Sequence, residues 1–233
     1  MSKNYLIIGG GTGIGKSIVQ ILSAKGHQVF AASPNILAAD LPSSVQRISF
    51  NVLEEEEIFG LPEHLDGLVY CPGSINLKPF HRIKLEDFQR EMDLNFMGAV
   101  KCTQAVLPLL KKSEQASVLY FSTVAVQSGL PFHASIAAAK GAIEGLTRSL
   151  AAEYAPKIRF NAIAPSLTDT PLAENLLSND KKREANAERH PLKRIGTPED
   201  MANMATLLLS DEGSWISGQV LKIDGGMSAI KGM

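Results

Sequence analysis

Short apolar runs of strand length alternate with stretches of helical period along most of this chain. The runs are Tyr5–Ile8, Val29–Ala32, Val45–Phe50, Gly67–Tyr70, Ser117–Ser122, Ile158–Ile163 and Val220–Ile223. Apart from Val45–Phe50, which is half polar, their mainly apolar character is that of strands covered on both faces. Between the first two, Ile14, Ile18, Ile21 and Leu22 share one helical face, and Gly26 stands where a left-handed residue would end that helix. Ile136, Ala139, Ile143, Leu146, Leu150 and Tyr154 form a longer stripe, enough for a helix that lies on a sheet and meets a partner. Thr197-Pro198-Glu199-Asp200 predicts the start of the last long helix, with a capping hydroxyl, a proline at the first helical position and early acids. Strand and helix alternating in this way predict an α/β fold, a doubly wound and mostly parallel sheet of seven strands. The 233 residues suit a single domain with one core, residues 1–233.

Two stretches are dominated by charge instead. Pro171 to Arg194 carries Lys181-Lys182-Arg183 and Arg189-His190 among acids. It follows the sixth strand, on the side where open α/β sheets bind ligands, so residues 171–196 read either as a solvated helical hairpin or as a mobile lid over a substrate. Glu54 to Glu57 reads as a solvated helix start.

Gly9-Gly10-Gly11-Thr12-Gly13-Ile14-Gly15 links the first strand to the first helix. Backbone N–H groups at a helix N-terminus carry partial positive charge, and glycines let a diphosphate approach the main chain, so this turn predicts a bound nucleotide. Two patterns fit the same letters. Gly9, Gly13 and Gly15 fit the Gly-x-x-x-Gly-x-Gly turn of dinucleotide enzymes, while Gly10 through Gly15-Lys16-Ser17 satisfies the triphosphate loop Gly-x-x-x-x-Gly-Lys-Ser. The second pattern also needs an acid at the end of a buried strand to hold magnesium, and Asp224 alone stands in such a place. Without that role, Lys16 and Ser17 are an exposed position and a filler in the first helical turn.

A net charge of -1 gives no electrostatic reason to expect nucleic acid or an anionic membrane, which leaves a small-molecule substrate as the expected partner. Cys71 and Cys102 lack zinc-type spacing, and no metal site is expected. The residues ahead of the first strand show no secretory leader and no run reaches membrane-spanning length, so a reducing, cytoplasmic setting is expected.

Further landmarks follow in order: Asn95 within Met92-Asp93-Leu94-Asn95-Phe96-Met97-Gly98, Arg159-Phe160-Asn161-Ala162-Ile163-Ala164-Pro165, Pro191 to Asp200, and Ser217 to Gly226. With the glycine turn, these resemble the short-chain dehydrogenase/reductase family over nearly the whole chain. The resemblance implies a Rossmann-type sheet binding NAD or NADP, with hydride transfer to or from a small carbonyl, alcohol or activated alkene. It implies cofactor contacts at Gly9, Gly11, Thr12, Gly13, Ile14, Gly15, Ser33, Asn51, Val52, Gly73, Lys140, Pro165, Thr168 and Thr170. It also implies catalytic positions at Thr123, Lys140 and Asn95, and a dimer or tetramer of identical chains built on helices spanning roughly residues 95–110 and 136–154.

The family's usual proton donor is a Tyr four residues before the Lys; here that position is Ile136. Isoleucine neither gives nor takes a proton. The Ser expected thirteen residues before it is Thr123, the Asn-Asn-Ala-Gly turn reads Tyr70-Cys71-Pro72-Gly73, Asn51 replaces an Asp near the adenine, and Ser166 replaces a glycine. His133, seven residues before Lys140, is a candidate substitute donor, because imidazole titrates near neutrality. Ala31-Ala32-Ser33-Pro34-Asn35 places no acid after the second strand to repel a 2′-phosphate, which tilts the expectation toward NADP. Two functions follow: an oxidoreductase with a non-standard proton donor, or a dinucleotide-binding sensor or oligomer partner with impaired catalysis on the same scaffold.

Overall fold

The computed structural model describes residues 2–54 and 57–230, so the helix start expected at Glu54–Glu57 lies partly outside the described residues. In chain order the main elements are β1 (Asn4–Ile8), α1 (Gly13–Ala24), β2 (Gln28–Ser33), β3 (Gln46–Ser49), β4 (Gly67–Tyr70), α2 (Leu85–Met92), α3 (Gly98–Leu110) and β5 (Ala116–Phe121). They continue with α4 (Ala125–Ser128), α5 (Ala134–Tyr154), β6 (Ile158–Pro165), α6 (Asp180–Glu188), α7 (Pro198–Leu209) and β7 (Val220–Ile223). The seven strands form one sheet in the order β3-β2-β1-β4-β5-β6-β7. Every neighbouring pair is parallel. The doubly wound α/β sheet expected from the sequence is the fold found.

Alternation along the strands builds two cores. Leu6, Ile8, Leu68, Tyr70, Val118, Tyr120, Phe160 and Ala162 face one side, where Ala99, Val106 and Leu110 of α3 and Ile143 and Ala151 of α5 cover them. Tyr5, Ile7, Val69, Leu119 and Ile163 face the other, against Ile18, Val19 and Leu22 of α1 and Met201, Ala205 and Leu208 of α7. Burying each large apolar side chain is worth about 1.5–3 kcal/mol, so these two layers carry the fold. The helix boundaries follow their local chemistry. Gly26, with φ 80°, ends the first helical segment. Thr197 and Asp200 form a reciprocal capping box at the start of α7.

Arg159 on β6 fastens the sheet to the loop after α7. Its buried guanidinium donates from Nη1 to the carbonyls of Gly213 (2.8 Å) and Ile216 (3.1 Å), and from Nη2 to that of Ser210 (3.2 Å). Arg159→Met removes all three bonds, although Gly213 keeps the Ile216 amide and Ile216 keeps Asn161 Nδ2 as donors, and urea unfolding should show a loss of about 2 kcal/mol; an unchanged midpoint would mean that water replaces the guanidinium there.

The strand order reverses between β1 and β4, and at such a switch point the carboxyl ends of the strands open a crevice. The crevice is finished from the helical side by a five-residue π-stretch, Asp93–Met97, between α2 and α3. Tyr70 at the end of β4 donates its hydroxyl to the Leu94 carbonyl at 2.6 Å, inside this stretch. A Cβ on residue 98 would lie 2.2 Å from that hydroxyl, which is why glycine stands there. The result is that Asn95 is held, fully buried, at the crevice.

Candidate active site

The glycine turn is shaped by close approach. Gly9 and Gly13 have φ of 78° and 52°, and a Cβ on Gly15 would lie 2.2 Å from the Gly9 carbonyl oxygen. Thr12 caps α1 in an extended conformation without turning its side chain onto the first-turn amides. Those N–H groups are left for an anion outside the chain.

The other triphosphate-loop residues turn away. Lys16 Nζ pairs with Asp40 at 3.2 Å on the surface, and Ser17 Oγ lies 3.4 Å from Glu199 of α7. Asp224 follows β7, four strands from β1, and is occupied by the amides of Gly226 and Ser228. These placements remove the magnesium-triphosphate reading.

From the glycine turn a groove of about 400 Å³ runs past Ser33 and Pro34, then Phe50, Asn51 and Val52, to Cys71 and Gly73. Asn51 is turned in on its own loop, accepting from the Leu53 amide at 3.1 Å and donating to Glu54 at 2.7 Å. The groove continues into a second cavity of about 290 Å³. Ile14, Cys71, Gly73, Thr170 and Leu172 line both, so the two form one trough. Its form fits an extended dinucleotide, with the diphosphate at the free amides and the far half beside Lys140. Gly11, expected at the cofactor, does not line the trough but packs on Ser33, where a Cβ would lie 2.9 Å from Oγ.

The second cavity gathers most of the expected catalytic positions. Thr123, His133, Ile136, Lys140, Pro165, Thr168 and Thr170 all line it. Thr123 Oγ1 accepts from the Ala125 amide at 3.3 Å, whereas its neighbour Ser122 is tied down to buried Glu144 at 2.8 Å. Thr168 Oγ1 donates to the Ser166 carbonyl at 3.1 Å, and Thr170 Oγ1 to that of Thr168 at 3.4 Å. His133 stands at the start of α5 with Nδ1 2.7 Å from the Pro131 carbonyl, so that nitrogen bears the hydrogen.

Lys140 and Asn95 converge on Gly73. A Cβ there would meet Asn95 Oδ1 at 3.4 Å and Lys140 Nζ at 3.6 Å. Asn95 Nδ2 donates to Ser74 Oγ (2.9 Å) and to Glu91 Oε2 (2.8 Å), while its buried Oδ1 has no partner among the described residues. Ser74 in turn donates to Glu91. Burial holds the Lys140 ammonium down to about 8, against the pull of Glu91. The Cys71 thiol is itself pushed up to about 12 by burial, so it presents no thiolate to the trough.

No tyrosine lines the second cavity. Tyr120 lies in the core on β5, its hydroxyl 2.7 Å from Thr103 Oγ1. Tyr5 and Tyr70 donate to main-chain carbonyls, and Tyr154 ends α5.

The charged stretch after β6 closes one side. Leu172, Ala173, Leu176, Asn186, Arg189 and His190 face the cavity from it. Its helix α6 buries no residue and is held by a bidentate pair, Arg183 to Asp169, at 2.7 and 3.1 Å.

A family model described as enoyl-(acyl carrier protein) reductase matches residues 9–228. The 3-oxoacyl-(acyl-carrier-protein) reductase FabG of Thermotoga maritima is 34% identical over 241 residues, covering 97% of each chain. This chain belongs to the short-chain dehydrogenase/reductase family. A solved family structure, ElxO with NADP bound, superimposes with a TM-score of 0.87 at 28% identity, covering 97% of this chain and 99% of that one. A Xanthobacter autotrophicus protein named inactive 2-(S)-hydroxypropyl-CoM dehydrogenase 2 is 36% identical over 171 residues, 71% of this chain and 74% of that one.

Sequence reasoning missed Glu91 and Ser74, although Glu91 stands one helical turn before Asn95. It also missed the pairing of Ser166 with His190, which are 24 residues apart with no spacing to betray them.

Proposed function

We propose that this chain is an NAD(P)-dependent oxidoreductase that moves hydride between the cofactor and a small, mainly apolar carbonyl, alcohol or activated alkene, with a proton donor other than the family's phenol. The carrying observation is the single trough that joins the free amides of the glycine turn to Lys140. A nicotinamide bound at the far end supplies or takes up the hydride. Gly9 to Gly15 hold the diphosphate, Ser33, Asn51 and Val52 border the adenosine, and Lys140, Pro165, Thr168 and Thr170 hold the nicotinamide half. Thr123 orients the substrate oxygen, and Asn95 fixes the wall beside Lys140. The cavity offers Leu77, Leu130, Leu172 and Met227 to an apolar substrate, and no carboxylate side chain lines it among the described residues. Residues 171–196 act as the lid.

NADP is the favoured cofactor, because the end of β2 reads Ser33-Pro34-Asn35 with no acid to repel a 2′-phosphate. Both cysteines are free, which suits a cytoplasmic setting, and no described helix is long and apolar enough to cross a membrane. Assembly into a dimer or tetramer through α3 and α5 completes the reading.

Titration with NADPH and NADH, followed by nicotinamide fluorescence, should show saturable binding, tighter for NADPH, and a ketone series should be reduced. Binding of neither cofactor would overturn the proposal. Ile136 favours a second reading, a dinucleotide-binding sensor with impaired catalysis; binding without any turnover is its signature.

A further inference from the structure

Ser166 stands at the end of β6, where the family carries a glycine, and its side chain has acquired a partner. Its hydroxyl lies 2.8 Å from His190 Nε2. The other ring nitrogen, Nδ1, is 2.8 Å from the Asn186 carbonyl. A carbonyl only accepts, so Nδ1 carries the hydrogen and Nε2 of the neutral ring accepts from Ser166. Among the described residues, the hydroxyl's only other hydrogen-bond contact is with the weak acceptor Met227 Sδ, at 3.1 Å. A hydroxyl held by an imidazole that is itself oriented by a fixed acceptor is the arrangement that activates an O–H for proton transfer.

Three features place this pair in the reaction cavity. Ser166, His190, Asn186 and Met227 line the same cavity as Thr123, Ile136 and Lys140. His190 is only 3% exposed, so its orientation is fixed by packing. Ser166 and His190 also border a second cleft of about 370 Å³, with Arg194, Asp200 and Asp224 in its wall. The pair thus lines both openings.

Two other groups in the cavity invite comparison. Ser74 also has a base behind it, Glu91, but its oxygen is committed to Asn95, and a carboxylate, unlike an imidazole, is not suited to both giving and taking protons near neutrality. His133 lines the cavity itself, but among the described residues its ring bonds only the Pro131 carbonyl and no hydroxyl.

We propose that Ser166 and His190 form the proton relay that replaces the missing phenol, an inference that rests on the oxidoreductase reading above. When an alcohol is oxidised, its hydroxyl proton passes to Ser166 Oγ as the Ser166 proton passes to His190 Nε2. The hydride leaves the carbinol carbon for the oxidised nicotinamide, the C–O bond becomes a carbonyl, and His190 is left as imidazolium. In reduction the path reverses. Imidazolium Nε2–H gives to Ser166, Ser166 gives to the carbonyl oxygen as the carbon receives hydride, and the neutral ring returns to the form seen here.

The test uses the full chain with NADPH and a ketone series, cyclohexanone and 2-butanone to 2-octanone. Ser166→Ala should lower kcat about a hundredfold or more while leaving the NADPH Kd from fluorescence unchanged. Adding Ile136→Tyr to Ser166→Ala should restore at least about tenfold of that loss, because a phenol supplies the same proton from the opposite wall. A nitrogen-15 spectrum of the cofactor-free protein should show neutral His190 with its hydrogen on Nδ1. Ser166→Gly serves as the second variant should alanine disturb the fold. The relay is overturned by Ser166 variants that turn over like the parent, by a double variant no better than Ser166→Ala, by hydrogen on Nε2, or by a parent protein that holds NADPH yet reduces no ketone. Failure to bind either cofactor overturns the oxidoreductase reading itself.

Discussion

Gly15→Ala weakens NADPH binding by at least about a hundredfold, equivalent to roughly 3 kcal/mol. The added Cβ would sit 2.2 Å from the Gly9 carbonyl oxygen and 2.9 Å from its carbon, and both are main-chain atoms that cannot rotate aside. The turn itself must open, and the first-turn amides of α1 then no longer point together at a diphosphate. Nicotinamide fluorescence measures the loss, and thermal unfolding shows how much of it is local. Lys16→Ala is the companion variant. Its ammonium pairs with Asp40 at the surface, so removing it should leave NADPH affinity unchanged. Intact binding by Gly15→Ala would show that the diphosphate lies elsewhere.

Lys140→Met should separate stability from activity. The buried ammonium titrates at about 8 in the folded protein against an ordinary 10.5. Below pH 8 both folded and unfolded chains carry the proton, and the folded state bears the full cost of burying it. Between pH 8 and about 10.5 the unfolded chain holds the proton while the folded protein has released it, so stability rises with pH. Above that range the cost is gone. Methionine fills similar space with no charge, so the variant should be more stable by up to about 3 kcal/mol at pH 7. The gain should shrink to nothing as pH approaches about 10.5. Its turnover should fall by about a hundredfold or more if, as we propose, the lost cation holds the nicotinamide half in place. Denaturant melts of both proteins across this pH range check the claim; a variant less stable than the parent at pH 7 would mean that the ammonium is stabilised by groups at the site.

Strand positions were legible because a two-sided sheet demands nearly continuous apolar runs, and the helices because their caps and stripes are local signals. Thr197 with Asp200, and Gly26, show this most plainly. The glycine turn was legible for the same reason, since the conformations of Gly9 and Gly13 admit few other residues. What chain order conceals is contact between distant segments. Ser166 was visible as a departure from the family's glycine, but His190 appeared only as part of a charged run. Nothing short of the fold brings α6's end against β6. The two fates of Ser122 and Thr123 also needed the structure, because both line the cavity and only the reach of Glu144 from α5 shows which of the two hydroxyls is consumed.

The segment that roofs the reaction cavity contributes nothing to either core. Helix α6 buries no residue, and besides buried His190 at its end it is held by a half-exposed guanidinium–carboxylate clasp, Arg183 on Asp169. Dissolved ions shield such a clasp while leaving the apolar layers beneath untouched. If this segment is the lid we propose, added salt should quicken the exchange of small molecules with the cavity while the melting point of the domain stays where it was.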